Sequence, residues 1–508
     1  MCPEFTPALS STSQRRGRSR SSTGVLFILF TLVAGLTVAA GGPTNSAQCT
    51  VNWNGVHQRI DGFGGGVVFL SPGSLDPMTA TNMDTLYRMD NTNELGLTLL
   101  RVRIDPATNW SNARLDAQKA VARGAGVLAT PWTPPAWMKD NNSLTNGGSV
   151  LPTNYAAFGS YLKSFASYMA SNGAPLRAIS IQNEPDFVAT YESCIWSSSQ
   201  FVAFFHTNAG AFTNLTIMMP ESDHFDQTLS DPTLNDAVAV TNVSIIGGHL
   251  YGNGNAGATI ADYPNAHNNG KNTWMTEFLV NDQTIGTAIT TAKQIHDCLT
   301  IGNMSAYIWW KCIGDANGLL NAAGAPQYRG FIMAQFSRFV RPGYYRIDVS
   351  SNATSVSAYK DTNSGNFAIV AINTNTDAYV NQTFSFANFS AASVTPWITS
   401  SNQSLAVQPT VGVTNSSFTY ILAPSSIVTF VGQLQLVPPV ITAIAVSSTQ
   451  AVLMVTGASG PNYTLQASTN LTNWQSLQTS NSPPIPVTFT DKNVTTYPNR
   501  FYRIQVQP

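Results

Sequence analysis

Short apolar runs alternate with stretches of helical periodicity from about residue 61 to residue 313. Eight runs can be marked, at 62–69, 98–104, 126–130, 178–182, 215–219, 243–250, 273–279 and 306–310. Between them apolar residues recur at helical spacing. Tyr155, Phe158, Leu162, Phe165 and Met169 form one stripe, Phe201, Phe204, Phe205 and Phe212 a second, and Ile285, Ile289, Ala292, Ile295 and Leu299 a third. Ser197 and Gln200 stand at capping-box spacing ahead of the second stripe. Strands that alternate with helices predict a parallel sheet, and eight of them close into a (β/α)8 TIM barrel, an α/β fold over 61–340. A last helix with Phe331, Ile332, Phe336 and Phe339 stops at Arg341-Pro342-Gly343.

Beyond that stop the period changes to the short β segments of an all-β protein, as at 356–359, 367–372 and 427–431. A side β-sandwich over 341–434 follows, and the β-like stretch 49–60, ahead of the barrel, is expected to supply its N-terminal strand. Val437-Pro438-Pro439 reads as a linker. The stretch 440–508, with Tyr463, Leu465, Ala467, Trp474, Phe489, Phe501, Tyr502 and Ile504, predicts a small C-terminal β-sandwich module of immunoglobulin or fibronectin-III type.

Charge narrows the partners. Only 10% of the 508 residues are charged, with Lys+Arg 25 against Asp+Glu 26, while 10% are aromatic. A surface so nearly neutral gives no footprint for nucleic acid, and its aromatic and hydroxyl-rich composition suits a neutral polysaccharide or oligosaccharide. Four arginines between Arg15 and Arg20, an apolar run over 25–38 and small residues ending at Ala40 have the order of a secretory signal peptide over 1–40, with Ala47 an alternative cleavage point. The run is short for a membrane span, so export rather than stable membrane insertion is expected, to the periplasm or the cell exterior. Once Cys2 leaves with the signal, Cys49, Cys194, Cys298 and Cys312 remain. They permit 3 pairings or none, and their spacing fits no metal site. Gly64-Gly65-Gly66 lacks the lysine and helix start of a phosphate loop, so no cofactor or metal is expected. A monomer is expected.

In a barrel of this kind chemistry sits where the strands end. The fourth run ends Gln182-Asn183-Glu184-Pro185, and the seventh ends Trp274-Met275-Thr276-Glu277. A carboxylate among apolar neighbours needs a task or a partner. Glycoside cleavage uses two carboxyl groups on opposite sides of the scissile bond, and strands four and seven face each other across a closed barrel. Glu184 is therefore the candidate acid/base and Glu277 the candidate nucleophile. Asn183 is placed to meet a sugar hydroxyl. Trp110, Trp132, Trp137, Trp309 and Trp310 fall at or just beyond strand ends, where an aromatic face can stack on a sugar ring. Tyr251 could hydrogen-bond the nucleophile, and His249 beside it could support the site. Arg101 and Arg103 share one face of the second strand; Arg103, nearer its C-terminal end, is expected to pair a catalytic carboxylate.

Four motifs in order, Ile60-Asp61-Gly62-Phe63-Gly64-Gly65, Gln182-Asn183-Glu184-Pro185, Trp274-Met275-Thr276-Glu277 and Phe336-Ser337-Arg338-Phe339-Val340-Arg341-Pro342-Gly343, resemble glycoside hydrolase family 30. The resemblance covers roughly residues 49–432 and is closest to the bacterial xylanase and glucuronoxylanase branch. It implies retaining hydrolysis through a covalent glycosyl-enzyme, a barrel fused to a side sandwich, and endo-acting cleavage of β-1,4-xylan. Members that depend on a glucuronic acid branch carry arginine shortly after the strand-eight tryptophans. Here Trp309-Trp310 is followed by Lys311-Cys312-Ile313-Gly314-Asp315, so xylan without obligate glucuronate recognition is expected. The alternatives are another activity of the family, namely β-glucosidase or glucosylceramidase, β-1,6-glucanase or exo-xylosidase, and a non-catalytic carbohydrate-binding protein.

Overall fold

A computed structural model describes residues 44–68, 78–254, 257–351 and 355–508. The expected signal segment 1–40, Cys2 and the expected end of the first barrel strand at Phe69 lie outside them. Strand β1 (Thr44–Arg59) comes first. Eight parallel strands then close a barrel in chain order: β2 (Gly62–Val67), β3 (Leu99–Arg103), β4 (Gly126–Thr130), β5 (Ala178–Ser180), β6 (Ile217–Ser222), β7 (Ile245–His249), β8 (Asn272–Glu277) and β9 (Ala306–Trp309). Every apolar run marked in the sequence overlaps one of them, although β6 runs three residues past the marked end at Met219.

Two apolar layers follow from the period-2 alternation of each strand. Leu99, Leu128, Ala178, Met218, Ile245, Trp274, Ala306 and Ile308 point inward and fill the barrel. Their sequence neighbours point outward against the helices, whose stripes bury Phe158, Leu162, Phe165 and Met169 of Tyr155–Ser171 and Ile289, Ala292, Ile295 and Leu299 of Ile285–Thr300. The Ser197 hydroxyl accepts from the Gln200 amide, and the Gln200 side chain returns the bond, so Ser198–Thr207 begins where the sequence put it. The inward Trp274 closes the floor of the barrel, its Nε1 donating to Asp61 Oδ2 at 3.0 Å. Asp61 also accepts from Arg177 and Asn272.

The side domain differs in detail from a sandwich of two separate sheets. Its strands are hydrogen-bonded into one ten-stranded sheet, and β1 lies inside it, antiparallel to Tyr345–Ser351 and parallel to Tyr379–Ala387. The sheet curls over its own core. Phe384 of Tyr379–Ala387 meets Phe430 of Ser426–Gln433 with ring centroids 4.9 Å apart, although four strands separate theirs in the sheet order. By pairing on both edges, β1 ties into one sheet what would otherwise be two. The chain then crosses to the barrel through Ile60, whose amide donates to Tyr344 O at 2.7 Å and whose carbonyl accepts from Gly343 at 2.9 Å. The helix Tyr328–Ser337 rests on the same sheet through Gln335, which bonds Thr399 and Thr429.

Two three-stranded sheets form the C-terminal module around Leu453, Val455, Tyr463, Leu465 and Phe489. Cys49, Cys194, Cys298 and Cys312 are buried free thiols, and burial pushes the thiols of Cys49 and Cys194 up to about 12. No helix among the described residues is long and apolar enough to cross a membrane.

Candidate active site

The strand ends deliver carboxylates because their backbones break the pleat. Opposite β7, β6 carries an extra residue at Glu221, and β8 carries one at Thr276, since Gly248 pairs with Met275 and His249 with Glu277. A bulge of this kind re-aims the next side chain, here turning Glu277 into the barrel mouth. Glu184 and Glu221 both have positive φ, 44° and 55°. A glutamate is rarely held there, and such strain concentrates where the position of a side chain matters. The two segments brace each other, Glu184 N donating to Glu221 O at 2.9 Å.

One guanidinium organises what the strands deliver. Arg101, on the inward face of β3 and fully buried, donates through Nη1 to Glu277 Oε2 at 2.5 Å and through Nη2 to Asn183 Oδ1 at 2.7 Å. The same Nη2 lies 3.2 Å from Glu221 Oε1, and the guanidinium stacks on the Trp132 ring at 4.6 Å. Glu277's other oxygen, Oε1, accepts from the Tyr251 hydroxyl at 2.8 Å. Glu184 is held by Asn183 Nδ2 at 3.2 Å and by His249 Nδ1 at 3.1 Å. Atoms of Glu184, His249 and Glu277 all lie within 4.8 Å of one another.

Burial sets the charges. It works against protonation of His249, but Glu277, Glu184 and Glu221 outweigh it and raise the imidazole to about 10. Burial alone would raise Glu221; Arg101 and His249 reverse it, down to about 2. Burial raises the Glu277 carboxyl, and the charges of His249 and Arg101 limit the rise. The acid limb of kcat/KM is therefore expected to have its midpoint above the ordinary carboxyl value of 4.5, because only ionised Glu277 can act as a nucleophile. A pH series of initial rates checks this; a midpoint at or below that value would show that the cations overcome burial. Three ligating groups so close could also be asked to hold a metal ion. A protonated His249 has no lone pair to give, and Arg101 already occupies Glu277, so the trio is poorly suited to binding a cation.

Above the pair opens a cleft of about 610 Å³, lined by Trp132, Glu184, Phe187, Tyr191, Asp223, Tyr251, Glu277, Leu279 and Trp310. Aromatic faces surround two carboxylates, the arrangement that cleavage of a sugar polymer calls for. Residues 87–340 match the model of the glycosyl hydrolase family 30 TIM-barrel domain. The chain is 36% identical to glucuronoxylanase XynC of Bacillus subtilis (strain 168) over 435 residues, 82% of this chain and 99% of that protein. The chain belongs to glycoside hydrolase family 30.

Solved structures agree. The family 30 subfamily 8 xylanase Xyn30A from Clostridium acetobutylicum is 41% identical, with a TM-score of 0.70 over 76% of this chain and 99% of that one. A family 30 endoxylanase from Clostridium papyrosolvens C71 is 36% identical, with a TM-score of 0.68 over 76% of this chain and all of that one (100%). This family 30 chain is thus a glycoside hydrolase with xylanase relatives.

Of the residues singled out in the sequence, the family 30 cleft brings together Glu184, Glu277, Tyr251, Trp132 and Trp310, with His249 beneath them. Four others are corrected. Arg103 does not reach the catalytic carboxylates; it pairs with Glu192 and with Asp105, the latter at 2.8 Å, because two residues further along β3 lift it to the barrel rim. Arg101 holds that place instead. Trp309 points outward, fully buried against Phe278 and under the Arg329 guanidinium at 4.6 Å, since in β9 it alternates with the inward Ile308. Trp110 packs between helices on Tyr161, Phe165 and Tyr168 at 5.2 to 5.8 Å and lines no part of the cleft. Asn183 is 3% exposed and spends both ends of its amide on Arg101 and Glu184.

Sequence reasoning missed Glu221, Phe187, Tyr191 and Asp223. Phe187 and Tyr191 are 43% and 50% exposed in the loop just after Glu184-Pro185, and large exposed aromatics beside a catalytic motif were a usable signal. Glu221 was hidden because the strand was ended at Met219, ahead of Pro220.

Proposed function

We propose that the chain is a secreted, retaining endo-β-1,4-xylanase that needs no glucuronic acid branch. The observation that carries the mechanism is the approach of Glu184 and Glu277 to within 4.8 Å. Retention works with carboxyl groups roughly 5 Å apart, whereas inversion needs about 6.5 to 9.5 Å to admit a water. Glu277, held by Arg101 and Tyr251, attacks the anomeric carbon as its bond to the leaving oxygen breaks. Glu184 gives its proton to that oxygen. Water then attacks the glycosyl-enzyme as Glu184 takes a proton from that water, and Glu277 is released as a carboxylate. His249 keeps its imidazolium against Glu184 throughout, so the proton is delivered from a fixed direction.

Xylan is supported by the xylanase relatives at 36 to 41% identity. Independence from glucuronate is supported by the cleft lining, in which Glu184, Asp223 and Glu277 are the only charged side chains among the described residues. A uronate carboxylate would meet negative charge there and no guanidinium fork. Lys311 follows Trp310 but is outside that lining. Secretion is supported by the basic, then apolar, N-terminal segment. Cleavage at Ala40 would keep β1 whole, whereas Ala47 is buried within β1 opposite Gln382.

Product analysis tests the reading. Purified enzyme is expected to release β-configured xylo-oligosaccharides, read by proton NMR before mutarotation, at comparable rates from unbranched xylan and glucuronoxylan. Activity confined to glucuronoxylan would overturn the substrate claim, cleavage of β-1,6-glucan alone would replace it, and first-formed α-product would overturn retention.

A further inference from the structure

A second groove lies beside the catalytic cleft, and nothing in the mechanism uses it. It measures about 600 Å³ and is walled by Pro106 and Thr108 after β3, Pro135 and Trp137 after β4, and Leu144 and Tyr161 beyond them. None of the described side chains that line it is charged. Trp137 dominates it at 60% exposure, an unusual cost for the largest apolar side chain unless something covers it.

The indole is displayed on a fixed backbone. The turn Ala136–Met138 is closed by Met138 N donating to Pro135 O at 2.9 Å and Lys139 N to Ala136 O at 3.0 Å. Asn154 Nδ2 reaches Trp137 O at 3.4 Å and Met138 O at 3.2 Å. Lys139, 2% exposed, bolts the loop down by donating to Ser193 O at 2.7 Å. An aromatic face that is already immobilised gives up little entropy on binding.

Two chain segments link the groove to the cleft. Trp132 in the cleft and Trp137 in the groove stand on the same loop after β4. On the other side Tyr191 lines the cleft, and Ser193, two residues on, donates its amide to the carbonyl of the groove's Leu144 at 3.1 Å. From these observations we propose that this groove is a distal subsite, in which Trp137 stacks on a sugar unit of the same neutral polysaccharide several units away from the bond being cut.

The inference rests on the polysaccharide hydrolase reading, and Trp137→Ala separates the two. Hydrolysis of long soluble xylan and of an aryl β-xylobioside is compared for wild type, Trp137→Ala and Trp137→Tyr. With Trp137→Ala the KM for polymer is expected to rise about tenfold, the loss of one aromatic stack. Its kinetics on the aryl glycoside should stay within twofold of wild type, and Trp137→Tyr should recover most of the loss. Retardation in xylan-containing gels, measured in a Glu277→Gln background, should weaken in parallel. An unchanged polymer KM, or an equal loss on both substrates, would overturn the subsite while leaving the hydrolase reading intact. A wild type that cleaves no xylan would overturn the xylan reading and with it the subsite for that polymer.

Discussion

Glu277→Gln is expected to lower kcat on xylan by about 10⁴-fold or more while leaving the protein folded. A loss of that size is about 5.5 kcal/mol of transition-state stabilisation. The amide has nearly the shape of the carboxylate; its oxygen can still accept from Arg101, which bonds Glu277 at 2.5 Å, and its NH2 can donate to the Tyr251 oxygen, 2.8 Å from the carboxylate, but it cannot form a glycosyl ester. The discriminating measurement is rescue. In Glu277→Ala the vacated space admits azide, which should attack the anomeric carbon of an activated aryl glycoside from the nucleophile's side and give a glycosyl azide of inverted, α configuration. Glu184→Ala should behave differently. It should lose most activity on xylan, whose leaving group needs a proton, and far less in forming the glycosyl-enzyme from a dinitrophenyl glycoside, whose leaving group does not. A rescued product of β configuration from Glu277→Ala would mean that the two roles are exchanged.

These two glutamates were legible because both features that identify them are local. A carboxylate at the end of an apolar run is visible in a few residues, and a parallel barrel places chain-ordered strands at known positions around a ring. The errors came where one more level of geometry was needed. Alternation along β9 already separates Trp309 from Trp310: with Ala306 and Ile308 inside the barrel, Trp310 continues the inward face and Trp309 cannot. Arg101 and Arg103 share a face, so alternation could not choose between them. The choice depended on how deep the carboxylates sit, and that depth is set by the bulge at Thr276, which no local pattern announces. Glu221 was lost because the apolar run was ended at Met219, although β6 continues through Pro220 to Ser222. In the side domain, β1 was visible as a strand, but its pairing on both edges is a long-range fact, and with it the merging of two sheets into one.

The second large effect is expected at Arg101, a residue that touches both Glu277 and Glu221. Arg101→Met keeps much of the apolar volume against Trp132 and removes the charge, leaving two buried carboxylates with His249 as their remaining close cation. Breaking a buried ionic network from one side costs about 3–5 kcal/mol of stability, so a fall in Tm of several degrees is expected at neutral pH. The sign of its pH dependence follows from Glu277. Without Arg101 its folded-state carboxyl rises further above 4.5, the neutral form is favoured, and the penalty of the buried charge is relieved as pH falls through that raised value. The Tm gap to wild type should therefore narrow toward acid pH, while the acid limb of kcat/KM moves to higher pH, the effect of losing an adjacent cation. Arg101→Lys separates charge from geometry. A single ammonium cannot serve Glu277, Glu221 and Asn183 together, so it should restore the acid limb better than it restores kcat. If Arg101→Met lowered activity with the acid limb unmoved, Arg101 would be a packing residue, and the ionised state of Glu277 would have to be secured by Tyr251 and His249 alone.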